Sequence, residues 1–254
     1  MGAFHVGHAS LIRRAREECD AVVVSVFVNP LQFGSPEDLA AYPRDEARDL
    51  GIAEGLGVDL VFAPSVEEMY PGGEPEVTID PGPMADRLEG MSRPGHFRGV
   101  ATVVAKLFHV AGRCRAYFGE KDAQQLAVVR RMVRDLSFPV EIVACPTVRD
   151  ADGLAMSSRN ARLTPEQREA AVCLFLALSE AAEMVRAGEA DVGTLVRAMV
   201  RRVEETPHAF LDYAAVVDDE TFEEVREVAR PARALIAARF GGTRLIDNLL
   251  LPCP

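Results

Sequence analysis

The chain has 254 residues, 48% of them hydrophobic, enough for one large domain or for a large and a small one, and disorder is not its default. A formal net charge of −11 argues against nucleic acid or an anionic membrane as the main partner. Anionic small molecules stay open, because a local pocket can be positive on an acidic protein. The five cysteines, Cys19, Cys114, Cys145, Cys173 and Cys253, are odd in number and lack C-x-x-C spacing. They fit reduced thiols in the cytoplasm better than a disulfide framework or a zinc site. No signal peptide and no membrane-spanning helix are expected.

The first eight residues, Met1-Gly2-Ala3-Phe4-His5-Val6-Gly7-His8, set two imidazoles directly before a helix predicted to continue through residues 11–19. Free N–H groups and the positive end of the helix dipole favour an anion there, and a nucleotide phosphate fits. The same residues also read as two polar groups at an exposed helix start. Residues 21–28 (AVVVSVFV) form an apolar, β-branched run typical of a strand covered on both faces, and Asn29-Pro30 ends it. A helix over 44–55 and a strand over 58–63 follow, with a further strand at 77–79. Next come a helix over 100–111, a strand over 115–118, a helix over 122–136 and a strand over 140–144. This alternation predicts an α/β fold, a Rossmann-like doubly wound parallel sheet with ligands beyond the carboxyl ends of its strands.

Gly119-Glu120-Lys121-Asp122 occupies a strand-to-helix turn. Glycine there allows close backbone approach, lysine reaches a phosphate, and aspartate accepts from ribose hydroxyls. An ordinary charged helix start with Asp122 as its cap is the plainer reading. Lys106 and Lys121 are the only lysines among 28 basic residues, and each is either kept for its compact ammonium or there by chance. After residue 147 the texture changes to a smaller C-terminal α+β domain, 148–254, beside a nucleotide- and substrate-binding domain, 1–147. Its start carries Ala155-Met156-Ser157-Ser158-Arg159-Asn160, a polar linker or a mobile anion clamp of two hydroxyls and a guanidinium. Thr164-Pro165-Glu166-Gln167 opens a helix predicted to reach residue 187, stopping at Gly188. A helix over 192–205 and strands over 211–217, 234–238 and 244–251 complete the chain.

The H-x-G-H pattern resembles the HIGH motif of class I aminoacyl-tRNA synthetases and related nucleotidylyltransferases, and the Met156–Arg159 stretch takes the slot of their KMSKS loop. More specifically, the segments MGAFHVGH (1–8), FVNPLQFG (27–34), DLAAYPRD (38–45), RPGHFRGV (93–100), YFGEKDAQQL (117–126), PTVRDADGLAMSSRN (146–160) and TRLIDN (243–248) resemble the pantothenate synthetase family along nearly the whole chain. The resemblance implies ATP-dependent joining of pantoate to β-alanine through a pantoyl adenylate, by a cytoplasmic homodimer, with Mg2+ carried by the triphosphate and no metal held by the protein. It implies ATP contacts at Met1, Gly2, Ala3, Phe4, His5, Val6, Gly7, His8, Gly119, Glu120, Lys121, Asp122, Val148, Met156, Ser157, Ser158 and Arg159. His8, His5 and Lys121 match the catalytic positions, His8 as proton donor, and Gln32 and Gln125 the pantoate-binding glutamines.

Family members carry a strand and a Pro-Thr turn before the MG-x-x-H segment, a strand expected to lie centrally in the sheet. The expectation is therefore an N-terminal extension upstream of Met1, and a poorly stable, weakly active chain without it. Phe4 and Ala123 depart from the family's usual leucine and aromatic as tolerable packing changes. Two other readings remain: a different small-molecule nucleotidylyltransferase, which the glutamine pair disfavours, and a shortened, catalytically impaired form of the same enzyme.

Overall fold

The computed structural model describes residues 2–34, 36–40 and 42–252. The chain divides into two compact units, Met1–Glu120 with Gln124–Pro146, and Lys121–Ala123 with Thr147–Pro254. Among the described residues no helix is long and apolar enough to cross a membrane. Cys19, Cys114, Cys145 and Cys173 are unbridged, and Cys253 lies outside the described residues.

The first unit alternates helices and short strands. Helix α1 (Val6–Glu18) is followed by β1 (Val23–Ser25), α2 (Pro36–Ala40), α3 (Glu46–Gly55), β2 (Leu60–Phe62) and α4 (Val66–Met69). Then come α5 (Glu89–Ser92), α6 (His96–Ala111), β3 (Cys114–Gly119), α7 (Ala123–Asp135) and β4 (Val140–Cys145). β1 pairs in parallel with β2, and β3 in parallel with β4. Among the described residues no strand joins the two pairs, and the parallel α/β part expected from the alternation is present as these two pairs. The apolar run over 21–28 yields a strand of only three residues because its partner, β2, is equally short. α1 turns Ala9, Ile12 and Ala15 inward at helical spacing. Ile12 and Ala15 join a cluster with Phe4, Val22, Val24 and Ala53. Phe4 is fully packed there, 1% exposed.

The strand expected at 77–79 does not form. Val77 is 87% exposed, and the Ile79 N–H donates to the Thr102 hydroxyl instead of to a neighbouring strand. Gly72-Gly73, Pro75 and Pro81 surround the segment and leave it irregular.

The second unit contains α8 (Pro165–Ala170), α9 (Cys173–Arg186), α10 (Val192–Glu204) and the strands β5 (Ala209–Asp218), β6 (Ala232–Phe240) and β7 (Thr243–Leu250). The strands form one antiparallel sheet in the order β5-β6-β7. Ala232, Ala234, Ile236, Ala238 and Phe240 of β6 alternate into a core with Leu174, Leu178 and Val185 of α9 and Leu195, Met199 and Val203 of α10. The single helix predicted over 164–187 is broken at residues 171–172, where Val172 and Leu174 donate to the carbonyls three residues back. Ala170, Ala171, Cys173 and Leu174, on either side of the break, are all buried. Thr164 caps α8 as predicted: its hydroxyl accepts from Gln167 N–H, and the Gln167 side chain accepts from Thr164 N–H.

Candidate active site

In the first unit the glycine-histidine loop hangs from Asp49. Ala3 adopts the left-handed conformation at φ 53°. Ala3 N–H then donates to Asp49 Oδ2 at 2.7 Å and Phe4 N–H to Oδ1 at 2.6 Å. Asp49 is 1% exposed and lies in the first turn of α3, where the helix dipole favours its negative charge. His5 caps α1: its Nδ1 accepts from Gly7 N–H at 3.1 Å. His8 Nδ1 accepts from His5 N–H at 3.4 Å, and the two ring centroids are 4.0 Å apart. A backbone N–H can donate only to a nitrogen with a lone pair. Both imidazoles are therefore fixed with the proton on Nε2, which makes Nε2–H the donor of each ring. Met1 lies outside the described residues.

Gln32 ends the 3-10 turn Pro30–Gln32 that follows β1. The turn sits against α6 at Gly99, where any Cβ would stand 2.3 Å from the Leu31 carbonyl oxygen, so only glycine allows this approach. Asn29, 2% exposed, donates to the Gly99 carbonyl at 3.0 Å and accepts from the Tyr70 hydroxyl at 2.8 Å. Burial pushes the Tyr70 hydroxyl up to about 12. The Gln32 carbonyl receives His96 Nδ1 at 2.8 Å and Arg93 Nη2 at 3.2 Å. Since Arg93 Nη1 must donate to His96 Nε2, the proton of His96 is on Nδ1. Gln125 lies in the first turn of α7, half-buried, and its side-chain amide makes no hydrogen bond within the protein among the described residues. Its neighbour Gln124 acts differently, donating to the Met84 and Arg87 carbonyls and accepting from Glu89 N–H, which fastens residues 84–89.

The second unit holds the other predicted residues. Lys121 lies in the 3-10 turn Glu120–Asp122, its ammonium 3.8 Å from Asp122 Oδ1. Residues 148–156 form a hairpin, with Arg149 bridging Ala155 and Met156 N–H donating to the Val148 carbonyl at 2.9 Å. Gly153 at its tip has φ +96°, and a Cβ there would meet the Phe175 ring at 2.0 Å. The Arg149 guanidinium stacks 4.4 Å over that ring and forms a two-pronged pair with Asp247, at 2.6 and 2.9 Å. Arg168 grips Asp150 and Asp152, and its hydrogen bonds to the Asp152 carboxylate hold that carboxyl below the usual range. Ser157 caps the 3-10 turn Ser158–Arg162 by accepting from Arg159 N–H. Just beyond, Asn160 Oδ1 is a buried acceptor without a hydrogen-bond partner. Thus Gly2 to His8, Gly119, Glu120, Gln32 and Gln125 belong to the first unit. Lys121, Asp122, Val148 and Met156 to Arg159 belong to the second.

Asp49, Asn29 and Tyr70 were not legible as site residues. Asp49 reads as one more acidic residue in a helix, and only the fold brings it to a loop 45 residues upstream. Asn29 carried a partial signal, lying inside the FVNPLQFG segment beside Gln32.

Comparison with known proteins agrees over almost the full length. The family model described as Pantoate-beta-alanine ligase matches residues 1–250. The pantothenate synthetase of Rubrobacter xylanophilus is 56% identical, the match covering 99% of this chain and 89% of that protein. That of Chloroflexus aggregans is 57% identical, with 99% and 91% covered. A crystal structure of pantothenate synthetase from Thermus thermophilus superposes with a TM-score of 0.93 at 52% identity, covering 99% of this chain and 91% of that one. A pantoate-beta-alanine ligase from Francisella tularensis, crystallised with beta-gamma ATP and beta-alanine, gives a TM-score of 0.78 at 37% identity, with 98% and 87% covered. Fold and relatives together define an α/β enzyme of the ligase class. The chain belongs to the pantoate–β-alanine ligase family, whose reaction condenses pantoate with β-alanine at the expense of ATP.

Proposed function

We propose that this chain forms pantothenate, AMP and diphosphate from (R)-pantoate, β-alanine and ATP through pantoyl adenylate, with His5, His8, Lys121 and Arg159 meeting the phosphates. In the first step a pantoate carboxylate oxygen forms a bond to the α-phosphorus, and the bond to the bridging oxygen breaks, releasing diphosphate. Negative charge grows on the phosphate oxygens as this happens, so donors already in place lower the barrier. The observation that carries the reading is the imidazole pair itself at the start of α1: the ring centroids are 4.0 Å apart, and both Nδ1 atoms accept from backbone N–H groups. Lys121 and Arg159 add full positive charge, and Gly2, Ala3, Phe4, Val6 and Gly7 line the same loop.

Gln32 and Gln125 hold pantoate. Amides satisfy its hydroxyls without trapping the attacking carboxylate in an ion pair. The half-buried, unengaged amide of Gln125 supports that role. In the second step the β-alanine amine bonds to the acyl carbon and AMP leaves. A magnesium ion carried by the triphosphate would supply charge neutralisation when bound. The family resemblance further supports a homodimer acting in the cytoplasm, and sedimentation velocity checks the oligomeric state.

Pantoate-dependent ATP–diphosphate exchange tests the assignment. His8→Ala and Lys121→Ala should each lower exchange about a hundredfold or more with the fold intact. Exchange at parental rates in both variants would remove these residues from the reaction.

A further inference from the structure

We infer that Asn248 of β7 is a positioning residue that sets the Lys121 ammonium through the backbone of its turn; this rests on the phosphate-binding role proposed for Lys121. Asn248 is 3% exposed and uses both ends of its amide. Nδ2 donates to the Lys121 carbonyl at 2.9 Å, and Oδ1 accepts from Arg233 Nη1 at 2.7 Å. The amide can face only this way, because a guanidinium has no lone pair to give and a carbonyl has no proton. Arg233, 6% exposed, is in turn held by Asp219 through its Nε.

The backbone of Asn248 serves the other predicted nucleotide segment. Its carbonyl accepts from Arg149 Nη2 at 3.2 Å, and its N–H donates to Asp247 Oδ1 at 2.8 Å. Asp247 is the carboxylate that Arg149 clamps with both prongs, and Arg149 directly follows Val148. One residue of β7 thereby ties the Glu120–Asp122 turn and the hairpin leading to Met156 and Arg159 to the same strand. Fixing the Lys121 carbonyl fixes the peptide plane after it, and with it the direction in which the side chain leaves the chain. An ammonium misplaced by about 1 Å forfeits much of its effect on a transition state, by a factor of roughly a hundred.

Asn248→Asp separates this role from simple structural support. The carboxylate keeps, and strengthens, the acceptor for Arg233, while it loses the donor and sets a negative oxygen against the Lys121 carbonyl. The experiment is a double-mutant cycle in pantoate-dependent ATP–diphosphate exchange, with Asn248→Asp and Lys121→Ala alone and together, beside thermal unfolding of each variant.

Asn248→Asp should lower the maximal exchange rate about tenfold and leave the KM for pantoate within about twofold, with a cooperative unfolding transition kept at a lowered midpoint. On a Lys121→Ala background it should add less than about a twofold loss. A near-parental rate for Asn248→Asp beside a severe loss for Lys121→Ala would overturn the inference and leave the role of Lys121 standing. The same loss in both backgrounds, or a raised KM for pantoate, would show general damage and overturn it too. A parental rate for Lys121→Ala would instead remove the underlying reading. Should Asn248→Asp not fold, Asn248→Ala, which adds no charge, enters the same cycle, and each outcome carries the same meaning.

Discussion

In the first unit the loop carrying both imidazoles hangs from one carboxylate. Asp49 accepts Ala3 N–H and Phe4 N–H, and His5 and His8 add the caps that they provide for their own turn. In the second unit the Lys121 turn and the 148–156 hairpin share a network of Asp219, Arg233, Asn248, Asp247 and Arg149, in which most members touch two others. The surroundings differ in the same sense. β1 and β2 are three residues each and paired once, whereas β6 is nine residues long and flanked on both sides. The contrast teaches that the imidazole loop is held by few contacts and the Lys121 turn by an interlocking network.

Single substitutions should expose that difference. Asp49→Ala leaves the buried Phe4 N–H and the part-buried Ala3 N–H without an acceptor and should cost about 3 kcal/mol in urea unfolding, with exchange activity lost along with the loop geometry. Gly153→Ala follows at a similar cost, about 3 kcal/mol, since the new methyl would overlap the Phe175 ring at a φ that alanine adopts only under strain. Because that ring also supports Arg149, the KM for ATP should rise in the same variant.

Tyr70→Phe removes the donor to Asn29 and should cost about 1 kcal/mol, with a raised KM for pantoate. Its pH signature is specific. Burial pushes the Tyr70 hydroxyl up to about 12, above the ordinary tyrosine value. The contribution of Tyr70 to stability is thus complete below about pH 10 and is lost as pH climbs toward 12, because the unfolded chain releases this proton first. Stability curves of parent and variant should converge over that window. Convergence at acidic pH instead would contradict the assigned burial. The smallest effect belongs to Asp219→Asn, below about 1 kcal/mol, because Arg233 keeps its bond to Asn248 and an amide oxygen can still accept. A cost for Asp219→Asn equal to that of Asp49→Ala would erase the contrast between the units.

Much of this was legible in order along the chain, for physical reasons. The imidazole pair, the Gly119–Asp122 turn and the Thr164 capping box are local patterns, and local patterns survive in sequence. The alternation of strand and helix likewise announced an α/β enzyme. What stayed hidden depends on distant contacts. Asp49 meets its loop across 45 residues, and Asn248 meets Lys121 across 127. The break at residues 171–172 has no glycine or proline to announce it. The apolar triplet at 77–79 had strand composition but no partner, and pairing rather than propensity decides a strand.

The central claim is that a carboxylate oxygen of pantoate attacks the α-phosphorus of ATP, and isotope transfer tests it directly. Pantoate labelled with oxygen-18 in its carboxylate is turned over with ATP and β-alanine, and the nucleotide product is analysed by mass spectrometry. One labelled oxygen in the phosphate of AMP is the predicted result. Unlabelled AMP, with the label instead in inorganic phosphate or diphosphate, would contradict the account.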